Sequence, residues 1–321
     1  MFPHAPQPWI DLSTGINPHS YPHSPLPATA MARLPEDEDC ARLRAVAAQA
    51  YGLAGPETLV AAPGTQILLP MVMSFVPPGR AAVLSPTYAE HARAAVIAGH
   101  GVTETASLAD LADADLGVVV NPNNPDGRVF TRQELAGVAA RMSARGGLLV
   151  VDEAFMDVGP QEASVGGDVD RLPIVVLRSF GKFYGLAGVR LGFAVASHDI
   201  AGRLGDLLGP WAVSGPAMAI GIKALGDLKW RQAMRERLQK ESQRLDDLIR
   251  KSGLSVRGGT HLFRFVRDRR AASLHRALGE AGIFVRAFSA MPDALRFGIP
   301  GDESAWARME EVLSRWTRAQ E

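Results

Sequence analysis

Short apolar runs, each closed by turn residues, recur along the first two thirds of this chain. They are TLVAA (58–62), AAVLS (81–85), GVVVN (117–121), LLVVD (148–152), IVVLRS (174–179) and GFAVA (192–196). Continuous runs of this kind predict strands buried on both faces. Residues 65–76, 88–98, 131–145 and 199–208 carry helix-like patterns between them. Repeated strand–helix units predict an α/β fold with a largely parallel sheet and helices on both sides. Ahead of these units ARLRAVAAQAYGL predicts a helix from about residue 41 that Gly52 closes. The acidic cluster Glu36, Asp37, Glu38 and Asp39 suits the start of that helix, where the dipole favours negative charge. After Pro216 one long helical pattern runs to Gly253, and the remainder alternates strand-like and helical pieces, as in a smaller α+β domain.

The first 27 residues hold seven prolines, so this segment is expected to lie extended over a surface or stay mobile. IDLSTGINP stands apart within it, an apolar start followed by small turn residues. The expected division is an arm over 1–40 that joins the small domain, a large domain over 41–212, and a small domain over 213–321 that opens on the long connecting helix.

Charge changes this picture only by exclusion. Lys+Arg and Asp+Glu both number 34, so no net field favours nucleic acid or an anionic membrane. No apolar run reaches the roughly 18 residues that span a bilayer. MFPHAPQPWIDL does not read as a signal peptide, and the single cysteine, Cys40, leaves no internal disulfide. A cytoplasmic protein is expected.

Candidate chemistry gathers at the ends of the predicted strands, where ligands of such sheets sit. LRSFGKFYGLAGVRLGF (177–193) places Lys182 in a glycine-rich setting. It is not a P-loop, because Val176 stands where the first glycine belongs and Phe183 where Ser or Thr belongs. Nor is it a dinucleotide fingerprint, which would follow the first strand. Two readings stay open: an exposed lysine in a turn, or a desolvated amine that bonds covalently to a carbonyl cofactor. Pyridoxal phosphate would also need an acid facing its ring nitrogen, and Asp152 in VVDEAF stands at a strand end. NPNNPDG (121–127) reads either as a multiple turn or as a source of the Asn124 amide for the cofactor's phenolate oxygen. APGTQ (62–66) leads into a helix start that suits an anion, with the Thr65 hydroxyl as a further donor. Ser179 and Arg190 can complete such a cup.

The ordered set GTQ, PTYAEH, NPNNPDG, VVDEAF, SFGKFYGLAGVRLGF and LRFGIP resembles the fold-type I pyridoxal-phosphate enzymes. Within them it is similar to the branch of histidinol-phosphate aminotransferases and threonine-phosphate decarboxylases. WIDLSTGINPHSYP, PTYAEHAR and DEAFMD resemble the decarboxylase forms. The resemblance implies a large domain with a mainly parallel, seven-stranded-type sheet between helices, and a smaller α+β domain. It makes pyridoxal 5'-phosphate the cofactor, Lys182 the Schiff-base lysine, and Asp152 the partner of the ring nitrogen. Asn124 would bond the phenolate oxygen, while Gly64, Thr65, Gln66, Ser179 and Arg190 would hold the phosphate. His91 would supply the ring stacked on the pyridine, ahead of Tyr88. Arg296 would grip a substrate α-carboxylate and Arg286 a substrate phosphate, with Gly15 and Asn17 closing over the substrate. No metal is implied, and a homodimer is.

Two positions depart from common family patterns. Phe155 replaces a tyrosine that bonds the phenolate, and Leu34 replaces one that reaches the partner's cofactor phosphate. The reaction implied is decarboxylation of L-threonine O-3-phosphate, with transamination of a phosphorylated amine as the alternative.

Overall fold

The computed structural model describes residues 2–23 and 25–319. Its contacts divide the chain into a larger unit, Tyr21–Asn124 with Val129–Arg231, and a smaller one, Met1–Ser20 with Pro125–Arg128 and Gln232–Glu321. Residues 21–40, expected in the arm, and 213–231, expected in the small domain, therefore fall in the larger unit. The first strand, β1 (Ile10–Leu12), belongs to the smaller unit.

The larger unit opens with the short α1 (Ala28–Ala32) and α2 (Asp37–Tyr51), whose acidic first turn meets the positive end of the helix dipole. Next come β2 (Leu59–Ala62), α3 (Thr65–Met73), β3 (Arg80–Leu84), α4 (Glu90–Ile97), β4 (Gly101–Thr105) and the single-turn α5 (Leu108–Leu111). They lead to β5 (Leu116–Val120), α6 (Arg132–Ser143), β6 (Leu148–Asp152), β7 (Ile174–Ser179) and α7 (Phe180–Phe183). The unit continues through β8 (Gly192–Val195), α8 (His198–Leu208) and α9 (Gly215–Gly226). Seven strands form one sheet in the order β2-β8-β7-β6-β5-β3-β4. β8 is antiparallel to both neighbours, and every other pairing is parallel. β5 and β6 are buried at every position, as continuous apolar runs in a covered sheet require. Leu68, Leu69, Val72, Val83, Val118, Val150 and Leu177 join strands and helices in one core.

Two elements differ from expectation. β4 reads GVTET and is mostly solvent-facing at the sheet edge, so it lacks the apolar run by which its neighbours are recognised. The long helical pattern after Pro216 breaks at Asp227, which ends α9 and accepts the Trp230 N–H on Oδ1 at 3.0 Å. That bond makes Asp227 the cap of α10 (Leu228–Lys251).

In the smaller unit β9 (Val256–Thr260), β10 (Phe263–Arg267), α11 (Ala271–Glu280), β11 (Ile283–Phe288), β12 (Met291–Gly298) and α12 (Glu303–Arg318) follow α10. Their sheet has the order β1-β11-β12-β10-β9, parallel only between β1 and β11. Leu245, Ile249, Leu278, Phe297, Trp306 and Leu313 form its core with Leu12 of β1. The proline-rich start is thus anchored: Ile10 pairs with Ile283, and the His19 Nε2 lies 2.8 Å from Glu241. Among the described residues no helix is long and apolar enough to cross a membrane.

Candidate active site

The parallel strands of the larger unit end at one edge of its sheet, and the polar groups expected to act follow those ends. Val120 pairs with Asp152, and Asp152 with Leu177, so the carboxylate sits in the ladder between the NPNNP turn and the start of the lysine segment. Its Oδ1 accepts the Ala154 N–H at 3.0 Å, and its Oδ2 lies 3.0 Å from His91 Nε2. A carboxylate offers about four acceptor positions, so capacity for a further N–H donor is left. His91 Nδ1 is buried with no hydrogen-bond partner. Facing a carboxylate, Nε2 is the ring nitrogen that donates.

This corrects the expected place of His91. Its relative exposure is 0%, so no face is open to stack on a ligand. The exposed ring is Tyr88, at 43%, which meets His91 edge-on with centroids 5.8 Å apart. The cause is the single helical turn between them: His91 lies in α4 on its buried side, while Tyr88 precedes the helix. The Tyr88 hydroxyl donates to Gln66 Oε1 at 3.3 Å, and Gln66 Nε2 donates to Glu90 at 3.1 Å. The Gln66 side chain is therefore committed to holding Tyr88. The Thr87 hydroxyl donates to Asn123 at 2.9 Å, and the Asn123 amide to the Pro86 carbonyl at 3.0 Å, which ties the PTY loop to the NPNNP turn that carries Asn124.

The start of α3 offers open backbone N–H groups. No side chain caps it, and Gly64 precedes it at φ 86°, a left-handed conformation that glycine adopts without strain. A Cβ on Gly64 would come within 2.5 Å of the Arg190 guanidinium, so that cation lies over the helix N-terminus. Arg190 itself has φ 53°, the one positive value outside glycine among the described residues. Such strain is held where surrounding structure over-determines it. A Cβ on Gly192 would come within 2.6 Å of the Thr65 backbone nitrogen, so β8 passes directly against this turn. Ser179 leads into α7 without spending its hydroxyl on the cap.

Lys182 lies in α7, half-buried, with Nζ 5.9 Å from the centre of the Phe155 ring. A ring face draws the amine in its cationic form but offers no hydrogen bond to it. Asn124 is half-buried in the turn after β5.

The smaller unit holds the two expected substrate arginines. Arg286 on β11 pairs directly with Arg296 on β12 across an antiparallel ladder. Arg296 is buried, packs on the Phe263 ring at 5.1 Å and donates through Nη2 to the Ser13 carbonyl at 2.6 Å. Burial, then the charge of Arg286, push its pKa down to about 10, while Asp11 partly offsets them. Like charges facing across a ladder destabilise it unless an anion lies between or beside them. Gly15 is buried, and Asn17 is buried with Oδ1 accepting the His19 N–H at 2.9 Å.

Sequence reasoning assigned nothing to Arg178 or Glu153. Both are buried and joined at 2.9 Å, with Asp157 at 3.3 Å from the same guanidinium. Partners 25 and 21 residues away leave no local pattern to read. A cavity of about 420 Å3 beside Cys40, Leu43, His198 and Met218 shares none of the candidate site residues, so chemistry rather than cavity size marks the site.

The profile of the family Aminotransferase class I and II matches residues 8–312. The chain is 45% identical over 308 residues to the threonine-phosphate decarboxylase of Pseudomonas aeruginosa, covering 95% of this chain and 91% of that protein. It is 42% identical over 314 residues to the threonine-phosphate decarboxylase of Sinorhizobium sp, covering 97% and 93%. The histidinol-phosphate aminotransferase of Sinorhizobium meliloti, solved in complex with pyridoxal-5'-phosphate, superposes with TM-score 0.81 at 20% identity over 97% of this chain and 91% of that one.

Proposed function

Since this chain belongs to the aminotransferase class I and II family, we propose that it decarboxylates L-threonine O-3-phosphate to (R)-1-amino-2-propanol O-2-phosphate with pyridoxal 5'-phosphate as cofactor. The observation that carries this reading is the pairing of Arg286 with Arg296. Two adjacent cations suit a substrate with two anionic ends, a carboxylate and a phosphate, and the named decarboxylase relatives point the same way.

The donor set fits the cofactor. The uncapped α3 start under Arg190, with Thr65 and Ser179, suits its phosphate; the Asp152 carboxylate suits a protonated ring nitrogen; the Lys182 amine suits its aldehyde. When bound, pyridoxal phosphate supplies an electron-accepting ring for the pair left on Cα as the bond to the carboxylate breaks. Asp152 keeps the proton on the ring nitrogen, and His91 orients Asp152 through Nε2–H. Asn124 donates to the ring's hydroxyl oxygen. Tyr88, rather than His91, would supply the aromatic contact to the ring, with Gln66 holding its hydroxyl. Arg296 orients the α-carboxylate and Arg286 anchors the phosphate. Lys182 Nζ delivers a proton to Cα in place of the lost carboxylate. Arg296 accelerates the reaction only so far as its grip favours the transition state over bound substrate. Gly15 and Asn17 close over the bound substrate.

The test is incubation with threonine phosphate, and separately with histidinol phosphate plus 2-oxoglutarate. Release of carbon dioxide in the first supports the reading; glutamate formation in the second would replace it with transamination. Lys182→Ala should abolish turnover and the visible absorbance of the bound cofactor. A cytoplasmic homodimer is part of this reading, supported by the single cysteine and the exposed apolar Met31, Leu34, Leu207 and Trp211. Sedimentation at a monomer's mass would remove the dimer.

A further inference from the structure

Arg178 is fully enclosed, yet it lies one residue before Ser179 and four before Lys182. Its Nη1 donates to Glu153 Oε2 at 2.9 Å and its Nη2 to Asp157 Oδ1 at 3.3 Å. One guanidinium thus bridges both ends of the 153–157 turn. Glu153 is the residue directly after Asp152, and its backbone N–H continues the ladder to the Leu177 carbonyl at 2.8 Å. Phe155, in the middle of the bridged turn, presents its ring to Lys182 Nζ. The remaining bonds of Glu153 are also fixed, with the Ser164 hydroxyl at 2.7 Å and the Val165 N–H at 2.9 Å. The Tyr51 ring closes the other side of the guanidinium at 4.3 Å.

Neighbouring residues on extended backbone point to opposite faces. Asp152 and Glu153 therefore look opposite ways, as do Arg178 and Ser179. The buried cluster lies behind the groups that would meet the cofactor, and it joins the segment carrying Asp152 to the segment carrying Lys182. An apolar core of the same volume serves stability as well as, or better than, a buried ion cluster. What a forked guanidinium adds is direction: two carboxylates are held at fixed angles to one planar group.

We propose that the Arg178–Glu153–Asp157 cluster is a positioning element that sets Lys182 and Phe155 in register with Asp152. It acts through those residues and touches neither cofactor nor substrate. The proposal rests on the cofactor reading given above.

The experiment compares two ligands on cofactor-free protein. Pyridoxal 5'-phosphate requires Lys182 for its covalent bond, whereas 4-deoxypyridoxine 5'-phosphate lacks the aldehyde and binds without that bond. The variants are Arg178→Lys, which keeps the charge but loses the fork, Glu153→Gln, and the triple replacement Arg178→Met with Glu153→Leu and Asp157→Leu, which removes the charges of the cluster. The triple variant strands the buried Val165 N–H and is expected to melt a few degrees below the parent protein. It should lose about tenfold or more in affinity for pyridoxal phosphate, and less than about threefold for the deoxy analogue, as misplaced bonding geometry predicts. Its kcat should fall by a similar factor with KM little changed. If the triple variant does not fold, Glu153→Gln carries the same comparison. Equal losses for both ligands, or unchanged affinity for both, would overturn the proposal and leave the cluster a purely structural one. A parent protein that binds neither ligand would overturn the cofactor reading, and this inference with it.

Discussion

His91 and Tyr88 stand three residues apart and divide two tasks, one behind a carboxylate and one open to solvent. Tyr88→Ala should therefore lower cofactor affinity by about two- to tenfold, the value of an aromatic contact of roughly 0.5–1.5 kcal/mol, by equilibrium fluorescence titration. Tyr88→Phe, which loses only the hydroxyl bond to Gln66, should cost less. Arg286 makes the complementary case. Arg286→Gln should raise KM for threonine phosphate by tenfold or more, at about 1.5–3 kcal/mol for a charge-assisted bond, and leave weak turnover of unphosphorylated threonine unchanged. Lys182 and Asp152 could be singled out as candidates from the sequence because each stands in a local motif at a strand end. The partner of His91 could not, because it lies 61 residues away and nothing in PTYAEH distinguishes a buried ring from a stacked one.

Among elements, the tightest constraint is where β8 crosses the start of α3. Gly192→Ala would drive a methyl group against the Thr65 backbone nitrogen, a neighbour that cannot rotate away. The expected outcome is a lower melting temperature together with weaker protection by inorganic phosphate, measured by differential scanning calorimetry. A substitution at the capping box of α6 should lower stability alone. Thr131 accepts the Glu134 N–H while Glu134 accepts the Thr131 N–H, and Thr131→Ala should cost about 1 kcal/mol of stability with activity unaffected. Six strands of the large sheet were readable as apolar runs because both faces of each are covered. GVTET escaped because an edge strand that faces water needs no such run. The break at Asp227 escaped because helical periodicity continues on both sides of it, and only the capping bond reveals the stop.

For the molecule as a whole, the even charge balance shifts the question of pH from net repulsion to individual ion pairs. Asp168 is the clearest: Arg132 Nε and Nη2 grip its two oxygens at 2.6 and 2.8 Å, and Arg171 adds a third bond at 2.6 Å. The bond from Arg132, opposed by partial burial, holds its carboxyl below the usual carboxylate range. A depressed folded pKa contributes stability that is present above the unfolded value and is lost as pH falls through the folded one. Urea midpoints should fall between pH 7 and pH 3, and Asp168→Asn should reduce that fall. The difference should be about 1 kcal/mol, because both arginines are largely solvated.

The smaller unit is written in three separate stretches of chain, and its first strand pairs with one that begins at Ile283. A polypeptide leaves the ribosome in order, so Ile10–Leu12 is made long before β11 exists to receive it. Once β8 (Gly192–Val195) has been made, the larger unit can complete its own sheet while the first strand still has no partner. Unpaired strand edges invite wrong partners. The prolines at 3, 6 and 8 lack amide hydrogens, so the residues just ahead of that strand are a poor template for such pairing. The opening strand therefore has no partner until β11, Ile283–Phe288, has been made.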